Sequence, residues 1–159
     1  YAIGDIVATP QLAHVATAEA IVATDAITNN NPTPVNYDAI PSCTYSSPEV
    51  ASAGLTEEEA INRGHKLKIG KFPFSALGKA SILGKPQGFV KVIADAETDV
   101  VLGAHMVGPH VTDMIAEVVT VLGAKMTAVD WGKVIHPHPS LSEALMEATH
   151  DVHGDAVHG

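Results

Sequence analysis

Near the end of the 159-residue chain, His136-Pro137-His138-Pro139-Ser140-Leu141-Ser142-Glu143 sets a histidine between two prolines, with a carboxylate five residues on. Histidine, with an ordinary pKa of about 6.5, gives and takes protons near neutral pH. Each proline fixes its own φ and pushes the residue before it toward extended backbone. Ser140 and Glu143 read as the N-cap and N3 of a capping box opening a helix through Ala144, Leu145, Met146 and Ala148. A carboxylate at N3 reaches back over the helix start, toward His138. A histidine so held, with a carboxylate to orient its ring, is what a general acid/base requires. Helix capping alone also accounts for Glu143, so both readings stand.

Other groups able to do chemistry are sparse. His150, His153 and His158 lie among Asp and Gly in the tail from Thr149 to Gly159. Three imidazoles can bind a divalent metal, but their spacing suits no compact site, and none is assigned there. Residues 150–159 read as a frayed, disordered tail. The single cysteine, Cys43, excludes an intramolecular disulfide and a paired-cysteine redox centre within the chain. Reduced cytoplasm is the setting this implies.

The formal net charge of -9 argues against nucleic acid or an anionic membrane surface as partner. Seven of the nine basic residues fall between Arg63 and Lys91, where Lys66, Lys68 and Lys71 suit the outward, solvated positions of a strand. Although 46% of residues are hydrophobic, no run approaches the roughly eighteen apolar residues of a membrane span. No basic, apolar and small-residue leader is read at the start.

The elements that must position His138 follow from periodicity. Tyr1-Ala2-Ile3-Gly4-Asp5 reads as the end of a buried strand entering a tight turn, hence as the start of a C-terminal piece of a longer protein. An Ala-rich helix is expected from Gln11 to about Thr24, then a linker at Asn29-Asn30-Asn31-Pro32-Thr33-Pro34. Short strands are predicted over 42–45 and 50–55. Thr56 and Glu59 form a capping box for a helix ending at Gly64. Strands follow over 66–74 and 88–95, the latter paired with 100–107 through a turn at Ala96–Asp99. Helices are expected over 111–122 and 127–134, the second containing Trp131. Strands followed by helices give an α+β fold, an antiparallel sheet flanked by helices. The organisation is 1–35, 36–149 and the tail.

Ordered segments along almost the whole chain now carry a family resemblance. They are Tyr1 to Asp5, Pro10-Gln11-Leu12-Ala13-His14, Ile40-Pro41-Ser42, Pro48-Glu49-Val50-Ala51, Gly70 to Phe74, Gly88 to Val92, Leu102 to His105, Val107-Gly108-Pro109 and His136 to Ala148. The chain resembles the C-terminal part of the flavin-dependent pyridine nucleotide-disulfide reductases, most closely their dihydrolipoamide-oxidising members. The resemblance implies that 1–35 ends an FAD-binding domain and that 36–149 is a dimerisation domain. It implies that Asp5 contacts the ribityl chain of FAD, and that Leu12, Ala13 and His14 offer backbone N–H groups to the flavin pyrimidine. It implies that His138 is the acid/base and Glu143 its partner, acting at the redox disulfide of the other subunit of a homodimer. Electrons would pass from dihydrolipoamide through FAD to NAD. The macromolecular partner would be the lipoyl domain of a 2-oxo acid dehydrogenase or glycine cleavage complex. His136 would be a neighbour of the base. Neither FAD nor NAD is expected to be retained by this segment alone, which should be inactive by itself.

Pro137 and Ser140 depart from the family pattern, where a small residue and threonine are commoner. A cis His138–Pro139 bond is expected at this turn. A glutathione-reductase-like enzyme, a non-catalytic dimerisation module and a histidine-rich metal protein are the competing readings.

Overall fold

The computed structural model describes residues 1–158. The chain divides into two compact units, Tyr1–Ile40 and a second beginning at Pro41.

The first unit is a turn and a long helix. Gly4–Ile6 forms one 3-10 turn, α1 spans Ala13–Thr28, and Tyr37–Ala39 is a second 3-10 turn. The helix outlasts the expected Thr24. Thr17, Thr24 and Thr28 return their hydroxyls to the carbonyls of Ala13, Ala20 and Thr24, and Asn29 in the left-handed region closes the end. The buried strand expected at Tyr1–Asp5 is not found. Tyr1 is 87% exposed, and no strand in this unit is there to pair with it.

The second unit is α+β, an antiparallel sheet flanked by helices. Its strands are β1 Ser42–Thr44, β2 Glu49–Gly54, β3 Leu67–Pro73, β4 Phe89–Asp95 and β5 Val101–Gly108. They lie in the order β1-β2-β5-β4-β3, every neighbour antiparallel. The helices are α2 Glu57–Asn62, α3 Gly78–Ile82, α4 Val111–Ala124, α5 Ala128–Gly132 and α6 Glu143–Asp151.

The register explains which face is buried. Ala51 and Val90 flank Met106, Ala53 and Val92 flank Ala104, and Phe72 lies beside Val90, so these side chains share one face. All are at most 2% exposed. Helices α4 and α6 cover that face, α4 over β2 and β5, α6 over β3 and β4. Val111, Ile115, Val118, Val121 and Leu122 form the buried stripe of α4, each worth about 1.5–3 kcal/mol when fully removed from water. On the opposite face Lys91 reaches Glu57 and the His105 ring meets the Leu55 carbonyl. Lys68 and Lys71 are exposed, as are the Lys66 and Glu97 side chains that pair with each other.

Two C-terminal expectations need correction. Helix α6 begins at Glu143 with Ser142 as N-cap, not Ser140, and Ser142 makes no side-chain cap bond. Its first amides, Ala144 and Leu145, bond three residues back, to Leu141 and Ser142. The Ser140 hydroxyl meets the Ser142 hydroxyl at 3.1 Å, so only the carboxylate half of the expected box forms. Residues 150–158 are not splayed: Val152 is buried, and Val157 and His158 fold back onto Glu147. A buried carboxylate needing donors outweighs the polar composition of that tail.

Candidate acid/base site

Glu143 stands at the first turn of α6, and the platform beneath it is firm. Ala144, Leu145 and Ala148 are fully buried. At the other end, Asp151 accepts the Lys71 amide of β3 at 2.8 Å. Gly70 of β3 lets the backbones approach closely: a methyl group there would collide with the Ala148 carbonyl and the Val152 amide. The carboxylate that faces the loop is thus fixed to the sheet through its helix.

Glu143 uses both oxygens. One lies 2.8 Å from His138 Nδ1, and the other accepts the Ser140 amide at 2.7 Å. Burial pushes this carboxyl up, but the Ser140 and His138 hydrogen bonds and the charge of a protonated His138 outweigh it and hold it below its ordinary value. The Glu143 side chain is 13% exposed, whereas that of His138 is 79% exposed. A carboxylate acceptor at Nδ1 selects the tautomer with its proton on Nδ1. Nε2 then carries the free lone pair, and it has no hydrogen-bond partner among the described residues. The His138–Pro139 bond is cis, as expected, and Ser47–Pro48 is a second cis bond.

A second polar group lies behind the loop, and sequence reasoning missed it. His136 has a side chain only 4% exposed. Its Nε2 is 2.8 Å from Glu117 Oε1 and its Nδ1 is 2.9 Å from the Val134 carbonyl. The indole N–H of Trp131, fully buried in α5, donates to the same Glu117 oxygen at 2.7 Å. Burial acts to raise Glu117, yet the hydrogen bonds from His136 and Trp131 prevail and keep it low. The Glu117 hydrogen bond raises His136 against the opposing effect of burial. Glu117 and His136 are nineteen residues apart, so no local motif joins them. The one hint is that Glu117 directly precedes Val118 of the buried stripe.

The remaining predicted residues lie in the first unit. Asp5 is exposed in the 3-10 turn, and Leu12 is the N-cap of α1 with Ala13 and His14 exposed after it. Leu12 offers no side-chain cap. The first main-chain bonds of α1 come from Val15 and Ala16 to the Leu12 carbonyl, and the Leu12 amide, expected to be offered outward, donates instead to the Pro10 carbonyl at 2.9 Å. The start of a sixteen-residue helix without a side-chain cap suits a polarised carbonyl or an anion. Glu19, also missed, ties this region together. It is buried and accepts from the Gly4 amide at 2.7 Å, the Thr9 hydroxyl at 2.7 Å and the Tyr37 hydroxyl at 3.0 Å. The Thr9 and Gly4 bonds hold its carboxyl low against burial. The turn bearing Asp5 is thereby anchored to α1.

Among the described residues no three His, Cys, Asp or Glu side chains converge as a metal site. The tail histidines diverge, His153 to Asp99 and His158 to Glu147. Cys43 is a free thiol, pushed up by burial. No helix among the described residues is long and apolar enough to cross a membrane.

Residues 40–149 match the pyridine nucleotide-disulphide oxidoreductase dimerisation domain. A dihydrolipoyl dehydrogenase of Bacillus subtilis (strain 168) is 53% identical over 160 residues, covering 99% of this chain and 33% of its own length. One from Thermus scotoductus is 48% identical over 159 residues, covering 99% and 34%. Among solved structures, LpdA from Mycobacterium tuberculosis superposes with a TM-score of 0.87 at 23% identity, over 94% of this chain and 32% of that one, a likeness of fold. The HOCl-induced flavoprotein disulfide reductase RclA from Escherichia coli gives 0.82 at 25% identity, over 91% and 34%. The chain spans about a third of the length of the curated relatives it matches.

Proposed function

The chain belongs to the pyridine nucleotide-disulphide oxidoreductase dimerisation-domain family, and on that premise we propose that it is the C-terminal part of a homodimeric dihydrolipoyl dehydrogenase and supplies its acid/base. The observation that carries this reading is the His138–Glu143 contact of 2.8 Å between a half-buried carboxylate and an exposed ring. His138 Nε2 takes the thiol proton of dihydrolipoamide, leaving the thiolate, which is the form that attacks a disulfide. Glu143 keeps the ring oriented and stabilises the imidazolium that forms. The proton returns to a departing thiolate by the same nitrogen.

The disulfide would belong to the other subunit, so the dimer is part of the site. Asp5 would hold the flavin ribityl chain, and the α1 start at Ala13 and His14 its pyrimidine edge, where a helix N-terminus favours negative charge, while the Leu12 amide is taken by the Pro10 carbonyl. FAD held there would supply the redox chemistry that links the thiol pair to NAD. Glu19 keeps the Asp5 turn in place for that role. The lipoyl domain of a 2-oxo acid dehydrogenase or glycine cleavage complex would present the substrate, in the cytoplasm.

His138→Gln in the full-length protein tests the reading. Lipoamide turnover should fall by about 10² to 10⁴, the usual contribution of a general base, with flavin content retained. Loss of flavin in parallel with activity would instead make His138 structural.

A further inference from the structure

We propose that His136 is a positioning residue for the acid/base: a buried imidazolium clamped between Glu117 and the Val134 carbonyl that fixes the loop presenting His138. The inference rests on the acid/base reading of His138 given above. It begins from hydrogen-bond arithmetic. The Val134 carbonyl can only accept, so Nδ1 of His136 must carry a proton. Glu117 Oε1 already accepts from the Trp131 indole, which can only donate. For Nε2 to be bare, Glu117 would have to be the protonated partner. A carboxylic acid with a reference pKa of about 4.3 does not keep its proton facing an imidazole with one of about 6.5. Both ring nitrogens therefore donate, and the ring is charged.

The loop needs such an anchor. After the Val134 amide bonds to Trp131, the next main-chain to main-chain bond on this segment is Ala144 to Leu141. Among the described residues, positions 135–140 are held by side chains instead. His136 ties one end to α4 and α5, and Glu143 ties the other through Ser140 and His138. Ile135 is 94% exposed and contributes no packing within the chain. Without the His136 clamp, two prolines and the Glu143 contact alone would set where Nε2 of His138 points. A displacement of about 1 Å at a reacting group can cost 100-fold in rate.

The groups facing His136 are Glu117 from α4, the Trp131 indole from α5, Glu143 from the start of α6, and the Val134 carbonyl of its own loop. Glu117→Gln is the informative change, since it keeps an acceptor for both donors and removes only the charge. In the full-length enzyme, the ratio of variant to wild-type kcat for dihydrolipoamide oxidation should be closest to unity at the acid end, at about pH 6, where the His136 ring most readily keeps its proton. It should drop to roughly a tenth by pH 8 as the ring loses its proton and the clamp opens. Flavin content should be unchanged throughout. Nitrogen NMR of the wild-type enzyme, labelled on histidine, should show both His136 ring nitrogens protonated at neutral pH, above the ordinary histidine value. A pH-independent ratio, or a bare His136 nitrogen in the wild type at neutral pH, overturns the proposal. His138→Gln is the control. If that variant keeps full turnover, the acid/base reading fails and the positioning role fails with it; if it is inactive while the ratio stays flat, the positioning role alone is wrong.

Discussion

One turn apart on α6, Glu143 and Glu147 each hold a histidine by Nδ1, and the difference between them separates chemistry from architecture. Glu143 meets His138 at 2.8 Å with one other donor, the Ser140 amide. Glu147, 1% exposed, takes the amides of Val157 and His158 as well as the His158 ring at 2.6 Å. Burial pushes Glu147 up, but those donors outweigh it and keep the carboxyl low. Its bonds all close the C-terminal tail onto the helix, so Glu147→Ala should release that tail and cost about 1–3 kcal/mol as hydrogen bonds to a charged acceptor are exchanged for bonds to water. Thermal unfolding measures this. The pH dependence follows from the same directions of shift. Glu117, Glu143 and Glu147 are all lowered in the fold, so their stabilisation is full above the ordinary value of about 4.3 and is lost as pH falls through the folded values. His136 is raised, so its share is full below about 6.5 and is lost as pH rises through its folded value. Glu117 and His136 describe one ion pair, seen from its acid and alkaline sides. The melting temperature should therefore be highest at about pH 4.5–6.5 and fall on both sides, and a profile flat down to pH 3 would contradict this.

At the scale of elements, close approach of β3 to α6 decides where the site sits. A methyl group on Gly70 would run into α6 backbone, not into a yielding side chain. In the full-length protein Gly70→Ala should then destabilise by about 1–3 kcal/mol, as overpacking does, and lower lipoamide turnover because Glu143 moves with the helix. A melt and an activity assay on one sample check both parts; an unchanged melting temperature would mean the interface yields. The strands and α4 could be read from sequence because their apolar residues recur with a strand or helix period: in β4, Val90 and Val92 are buried and Lys91 between them is not. The Thr56 box was legible because both partners lie within one turn. The start of α6 was misjudged because Ser140 and Glu143 satisfy the same spacing whether one or both halves of the box form. His138 and Glu143 were findable by proximity along the chain. Glu117, Trp131 and Glu19 were not, because their partners come from separate elements brought together only by packing.

At the scale of the whole molecule, the segment that carries His138, the proposed acid/base, also carries bare apolar surface. Ile135 is 94% exposed, with Val134 at 44% and Val129 at 46%. Large aliphatic side chains this exposed, on α5 and on the loop held at both ends that follows it, lose little backbone freedom when a partner covers them. In a dimerisation domain, and on the proposal that His138 serves the other subunit, such residues belong where the second subunit meets the first. Ile135→Glu places a charge at that contact while sparing the His136 clamp behind it, because the Ile135 side chain points to water. In the full-length protein, sedimentation should then show dissociation at concentrations where the wild type is dimeric, and lipoamide turnover should fall in proportion to the dimer lost. Restoring the dimer at high concentration should restore turnover, since neither His138 nor Glu143 has changed. If the variant stays dimeric but inactive, Ile135 acts on the loop and not on association. If it is monomeric and fully active, His138 serves its own subunit, and the cross-subunit arrangement is wrong.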